Sequence, residues 1–216
     1  MIASPSATPT EDPADAGPRR VQPGGKGKDQ DMSTHYAIET ATSTWNIDPS
    51  HSSAEFKVKH MMISSLKGHF AKVTGTLTLD ETDLARSTVE ASIEAASIET
   101  RDPQRDAHLR SGDFLDIEHF PHLTFKSTRI GLIRDGELEI DGDLAIRGVT
   151  VPVHFTAQGP TSPTKDPWGN TRIAVSATTW INRKDFGLVW NATLEAGGIL
   201  VSDEVTITLD VEFVKA

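Results

Sequence analysis

The residues best suited to chemistry lie in one stretch, Arg101–Asp116 (RDPQRDAHLRSGDFLD). Arg101, Asp102, Arg105, His108 and Arg110 are its polar candidates. An arginine fork donates two hydrogen bonds at once to a phosphate, and a helix N-terminus adds free N–H donors. Asp102 is placed to cap a helix that starts at Pro103, where a missing N–H costs nothing, and Gly112 supplies a stop. The stretch predicts a short helix that contacts a ligand head group through Arg101, Asp102, Arg105 and His108. The competing reading is a solvated helix with internal ion pairs, because Asp102, Asp106, Asp113 and Asp116 outnumber Arg101, Arg105 and Arg110. That balance suits a neutral head group about as well as a dianionic one.

Other chemistry is thinner. Of the eight histidines, His119 and His122 flank Pro121, which rules out a helical ligand pair. On a strand, residues three apart face opposite sides. His51 and His60 are separated by an expected strand, Ala54–Val58, so no metal site is expected. The chain has no cysteine, which excludes disulfides, thiolate ligands and cysteine nucleophiles. It also lacks a Gly-x-Ser-x-Gly elbow, a phosphate-binding glycine loop and a His-Glu-x-x-His pair. Asp141, Asp143 and Asp185 read as turn and solubility residues. No catalytic residue is assigned, and the expectation is a protein that is not an enzyme.

A helix this short and polar cannot hold itself together in water and must lie on something larger. The 216 residues are 37% hydrophobic, which suits one domain with a real core. Residues 1–43 are rich in Pro, Gly, Ala, Ser and Asp and are expected to form a disordered tail, leaving 44–216 as the folded domain. Residues 1–31 carry four basic and five acidic side chains, so of the net charge of −10 the remainder of the chain holds −9. That acidity argues against nucleic acid and against anionic membrane surfaces as electrostatic partners. Residues 1–32 lack the apolar run of a signal peptide, and no segment is long enough for a membrane-spanning helix. A cytoplasmic location without stable membrane insertion is expected, with Met32 as an alternative start.

From Trp45 onward, apolar residues recur at period two. The runs are Ala54–Val58, Val73–Leu79, Val89–Ile93, Leu123–Ile130, Leu138–Ile146, Val151–Ala157, Ile173–Ala177 and Val205–Phe213. Arg134-Asp135-Gly136 reads as a tight hairpin and Asp166–Asn170 as a longer one. Without a βαβ rhythm the sheet should be antiparallel, and about eight strands fit either a sandwich or a closed barrel.

Several segments in order resemble the YceI-like, or polyisoprenoid-binding, family. They are Trp45–His60, Gly68-His69-Phe70, Ser97–Asp102, Arg105–Asp116, Phe120-Pro121, Phe125–Ser127, Gly142–Val153, Asn182–Gly187 and Val201–Val205. The resemblance implies an all-β fold, an antiparallel lipocalin-like barrel of about eight strands with one short helix across an opening. It implies an apolar cavity for a long isoprenoid lipid, such as an isoprenoid quinone or a prenyl phosphate, bound as a carrier, store or sequestering protein. No other cofactor is implied. Family members often form homodimers and many are exported, which makes a periplasmic or secreted location the alternative to a cytoplasmic one.

On this reading Phe56, Val58, His60, Ile93, Phe125, Leu144, Phe155, Val175 and Phe186 contact the lipid. Val89, Val153, Ile173, Ile207 and Leu209 join the inward face, and His60 is a polar group in the wall. Leu109, Phe114 and Leu115 anchor the helix over the opening, with Ala107 on the same weakly apolar face. Trp180, Phe186 and Trp190 ring a mouth or a dimer contact, and Trp168 covers a barrel end or meets a partner. The alternative function is a stress-response or protein-interaction module whose barrel is filled.

Overall fold

The computed structural model describes residues 42–134, 136–193 and 198–216. The expected tail falls outside them, except that Thr42 and Ser43 already belong to the first strand. In order the strands are β1 (Thr42–Ile47), β2 (Ser53–His60), β3 (Ser64–Phe70), β4 (Val73–Asp80), β5 (Thr88–Glu94) and β6 (Ile98–Glu99). A helix, α1 (Pro103–Arg110), leads to β7 (His122–Arg134), β8 (Glu137–Ile146) and β9 (Val149–Gln158). Then come β10 (Thr164–Lys165), β11 (Thr171–Asn182) and β12 (Val201–Lys215).

All pairings are antiparallel, and a β11–β12 ladder closes the sheet into an eight-stranded barrel. Closure depends on the length of β12. One edge of its 15 residues pairs with β11, while the other pairs first with β2 and then with β1. β1 and β2 thus act as one bent wall strand, and β3 and β4 act as another. This answers the choice the pattern left open: a closed barrel removes the sheet edges that a sandwich would expose.

Alternation of small polar and large apolar residues dictates the inward face. Along β1, Ser43, Trp45 and Ile47 are buried while Thr42, Thr44 and Asn46 face water. Both expected hairpins form, one between Arg134 and Glu137 and one across Asp166–Asn170. A third joins β8 to β9 through Arg147 and Gly148, both left-handed at φ of 50° and 73°, as a two-residue primed turn requires. Gly142 serves a different need. A methyl there would fall 2.4 Å from the Phe125 ring, so only glycine leaves that ring its place.

At the β1 end, Arg172 ties three segments together. It donates to Asp48 at 2.6 Å, to Asp166 at 2.7 Å and to Glu212. Arg172 and then His51 hold the Asp48 carboxyl below the ordinary carboxylate range. Burial opposes ionisation of Asp166, but bonds from Arg172 and Asn170 outweigh it and lower that value too. Stability from depressed carboxylates is present above their ordinary value of 3.8 and is lost as pH falls below it. Arg172→Met should therefore lower the melting temperature at neutral pH, and its deficit against the unmodified protein should shrink below that value. A deficit that is constant across acid pH would contradict the assignment. Asp48, His51 and Glu212 also offer three ligand atoms to a cation, but the Arg172 guanidinium already provides the positive charge there.

Candidate functional site

The barrel interior holds a cavity of about 280 Å³ lined by 38 residues. The lining residues come from both ends of the barrel, so the space is long. It runs from Leu84, Ser87 and Pro160 at one end to Leu109, Phe114 and Leu188 at the other. All lining residues are apolar except Glu55, Ser87 and Arg183. Glu55 is exposed on the outer face, and the Ser87 hydroxyl accepts from the Asp80 amide at 2.9 Å. Such a surface offers a ligand dispersion contacts and desolvation, with almost no hydrogen bonding.

The predicted contacts separate into two groups. Phe56, Val58, Ile93, Phe125, Leu144, Phe155 and Val175 line the cavity, as do Val89, Ile207 and Leu209. Phe125 and Phe155 meet edge-to-face with ring centres 5.3 Å apart, so part of the wall is rigid aromatic surface. His60 and Phe186 do not reach the cavity. His60 ends β2, where it pairs with Val201 and Ser64. Phe186 is 1% exposed and fills the barrel end under a 3₁₀ turn at Arg183–Phe186, in a cluster against which Val151 and Val153 pack. Ile173 is absorbed by a separate cluster with Trp45 and Phe213.

Of the head-group candidates, Arg105 and His108 lie on the helix, Asp102 caps it and Arg101 precedes it, and all but Arg101 bond to other protein groups. α1 starts at Pro103 with Asp102 as its cap, accepting from the Gln104 and Arg105 amides at 3.0 and 3.2 Å. Arg105 donates to the Thr100 hydroxyl and carbonyl at 2.7 and 2.6 Å. Arg110 holds the carbonyls of Ala96 and Ile98 at 2.8 and 2.6 Å. His108 meets Asp113 at 2.9 Å and stacks edge-on against Phe114 and Trp190. Arg101 is exposed in a left-handed conformation (φ 64°) and points to no cavity residue. None of the four lines the cavity. The solvated-helix reading therefore describes the polar face of α1, while its apolar side does what the sequence implied: Leu109, Phe114 and Leu115 close the cavity end. Ala107 is the exception and is exposed.

Asp106 is the least expected member of α1. It is buried and accepts from both the amide (2.9 Å) and the hydroxyl of Thr100. Asp106→Ala should destabilise the fold by about 1–3 kcal/mol, because two buried donors lose their acceptor. Asp106→Asn, which keeps one acceptor oxygen, should cost less in the same thermal melt.

Arg183 is the cavity residue that sequence reasoning missed. It is 3% exposed, and its guanidinium faces main-chain oxygens from two segments. It donates to Ser202 (2.9 Å), Trp190 (2.9 Å) and Leu188, and it pairs with Asp203 at 3.2 Å. Burial lowers its pKa and Asp203 opposes that shift. The only signal in the sequence was the Asn182–Gly187 segment of the family resemblance, which does not reveal that the arginine turns inward.

Comparisons with known proteins agree with this geometry. A family model described as a YceI-like domain matches residues 45–213. A UPF0312 protein of Vibrio cholerae is 35% identical over 157 residues, covering 73% of this chain and 82% of that protein. The crystal structure of Burkholderia cenocepacia BcnA superposes with a TM-score of 0.66 at 20% identity, covering 77% of this chain and 98% of that one. A polyisoprenoid binding domain from Saccharophagus degradans superposes with a TM-score of 0.57 at 14% identity, covering 80% and 98%.

Proposed function

The chain belongs to the YceI-like family, and on that premise we propose that its barrel binds a long isoprenoid lipid without chemical conversion, as a carrier, store or sequestering protein. The observation that carries the reading is the cavity itself: long and lined almost wholly by apolar side chains. The Saccharophagus degradans domain, a polyisoprenoid binding domain with the same fold, supports the ligand class. A filled barrel serving only protein contacts would leave no such space. Among the described residues the lining includes no histidine, and its one serine is bonded to backbone, which supports binding rather than catalysis.

The structure also bears on the head group. Among the described residues Arg183 is the one cationic residue in the lining, and its N–H groups are held by carbonyls and Asp203. Among the described lining residues a phosphate would find only the Ser87 hydroxyl as a donor not already engaged, and no free cation. We therefore favour a neutral head, as in an isoprenoid quinone, over a prenyl phosphate. Burial is worth about 25 cal/mol per Å² of apolar surface, so a few isoprene units suffice for tight binding without a polar contact. Loading the purified protein with a detergent-dispersed isoprenoid quinone and, separately, with a prenyl phosphate tests this. The quinone should bind more tightly, and equal or stronger uptake of the phosphate would overturn the head-group assignment.

A further inference from the structure

The net charge of −10 describes the whole chain and hides a local exception on β2 and β3. These two strands carry Lys57, Lys59 and Lys67 against a single acid, Glu55. All three lysines are exposed, and among the described residues none forms an ion pair. Lys57 and Lys67 sit directly opposite each other across the ladder. Like charges in that position destabilise a sheet, so an external anion would relieve a repulsion that the fold itself leaves standing.

The turn that joins these strands is apolar. Met62 is 66% and Ile63 is 81% exposed. Met61 and Met62 are both left-handed, at φ of 52° and 61°, a conformation costly for side-chain-bearing residues. Ile199 is exposed next to Leu200, whose carbonyl accepts from the Met61 amide at 2.8 Å, and Val189 is exposed between Leu188 and Trp190, whose carbonyls Arg183 ties to the same strand start through Ser202. Among the described residues these five side chains make up half of the ten large apolar ones that are exposed. Met61, Val189 and Ile199 lie three, one and two residues from the cavity-lining Val58, Leu188 and Val201, and Met62 and Ile63 continue the turn outward from Met61. An exposed apolar cluster at the end of an apolar cavity, with a cationic flank, has the character of a surface that meets lipid.

We propose that the Met61–Ile63 turn, with Val189 and Ile199, inserts into the interface of an anionic lipid bilayer while Lys57, Lys59 and Lys67 contact its head groups, so that the cavity loads and unloads from the membrane. This rests on the lipid-binding reading above. Docking is peripheral and reversible: three side chains at a turn tip cannot span a bilayer, and three lysines hold the surface only while salt is low. The rest of the acidic surface is repelled by the same membrane, which orients the barrel with this end down.

The test is flotation of the full chain with vesicles of phosphatidylcholine, with or without phosphatidylglycerol. The protein should float with anionic vesicles, and its affinity should fall about tenfold or more when salt is raised or phosphatidylglycerol is omitted. Met62→Asp with Ile63→Asp should abolish flotation, and so should Lys57→Glu with Lys59→Glu and Lys67→Glu. Trp168→Ala, at an exposed indole beyond the opposite end of β12, should leave it intact. Both surface variants should still take up a detergent-dispersed quinone when vesicles are absent, which shows that they are folded. Absence of flotation by the unmodified protein, or flotation that survives both variants, overturns the proposal. So does a dimer in sedimentation velocity that Met62→Asp with Ile63→Asp disperses, if no vesicle binding accompanies it. Flotation without quinone uptake supports the docking surface and counts against the proposed ligand.

Discussion

Ala177→Phe should abolish most lipid binding and leave the barrel folded. Ala177 is buried on β11 and lines the cavity in a cluster with Leu138, Phe155 and Ala157. A phenyl ring there fills space that the ligand chain would occupy, displacing roughly one five-carbon unit. At about 0.8 kcal/mol per buried methylene the loss approaches 4 kcal/mol. The expected change is a hundred- to thousand-fold fall in affinity, at about 1.4 kcal/mol per decade. Ala177→Leu should give an intermediate value. The filled-barrel alternative makes the opposite prediction: in a packed core the ring has nowhere to go, and overpacking would cost about 1–3 kcal/mol of stability with no ligand to lose. Measuring both ligand affinity and thermal stability of the variant separates the two accounts.

The second large effect is expected at Arg183. Its guanidinium joins Leu188 and Trp190 on one side to Ser202 and Asp203 on the other, and these segments close the α1 end of the cavity. Arg183→Leu removes every one of those bonds and leaves several buried carbonyls without a donor. Removing one partner of a buried, bonded charge costs about 3–5 kcal/mol. For a chain of this size that corresponds to about a 10 °C drop in melting temperature. Arg183→Lys should recover little, because a single ammonium cannot reach acceptors on both segments as a planar fork does. A variant melting within a degree or two of the unmodified protein would show that the bonds are not a structural tie.

The strands were legible wherever one face meets water and the other meets the interior. β8 shows this well: Leu138, Leu144 and Ile146 are buried and recur at even spacing. β3 was not visible from periodicity because it carries only Leu66, Gly68 and Phe70 on its inner side, and Gly68 contributes no side chain. The Arg147-Gly148 turn was missed because its first residue is not one of the usual turn formers. Phe186 was misplaced for a different reason. Its apolar character correctly predicts burial, but burial in a barrel end and burial in a cavity wall leave the same mark on a sequence.

The charged residues were harder still. Asp102 and Pro103 announce the helix start because capping is local, and the helix begins where they place it. Arg105, Arg110 and Arg183 look available for a ligand because their acceptors are main-chain carbonyls, which carry no sequence signature. Asp106 reads in the sequence as one more solvated acid, yet it is buried, with Thr100 bonding it from outside the helix. The acidity of the chain as a whole was equally misleading for β2 and β3, where three lysines gather on adjacent strands.

The most direct measurement is the content of the cavity. The full chain would be purified without detergent from the cells that make it, extracted with organic solvent and analysed by lipid mass spectrometry. The account predicts a long prenyl-chain lipid with a neutral head group, recovered in a fixed ratio to protein and absent from Ala177→Phe prepared in parallel. An extract that is repeatedly empty, from a protein that also takes up no added prenyl lipid, would contradict it.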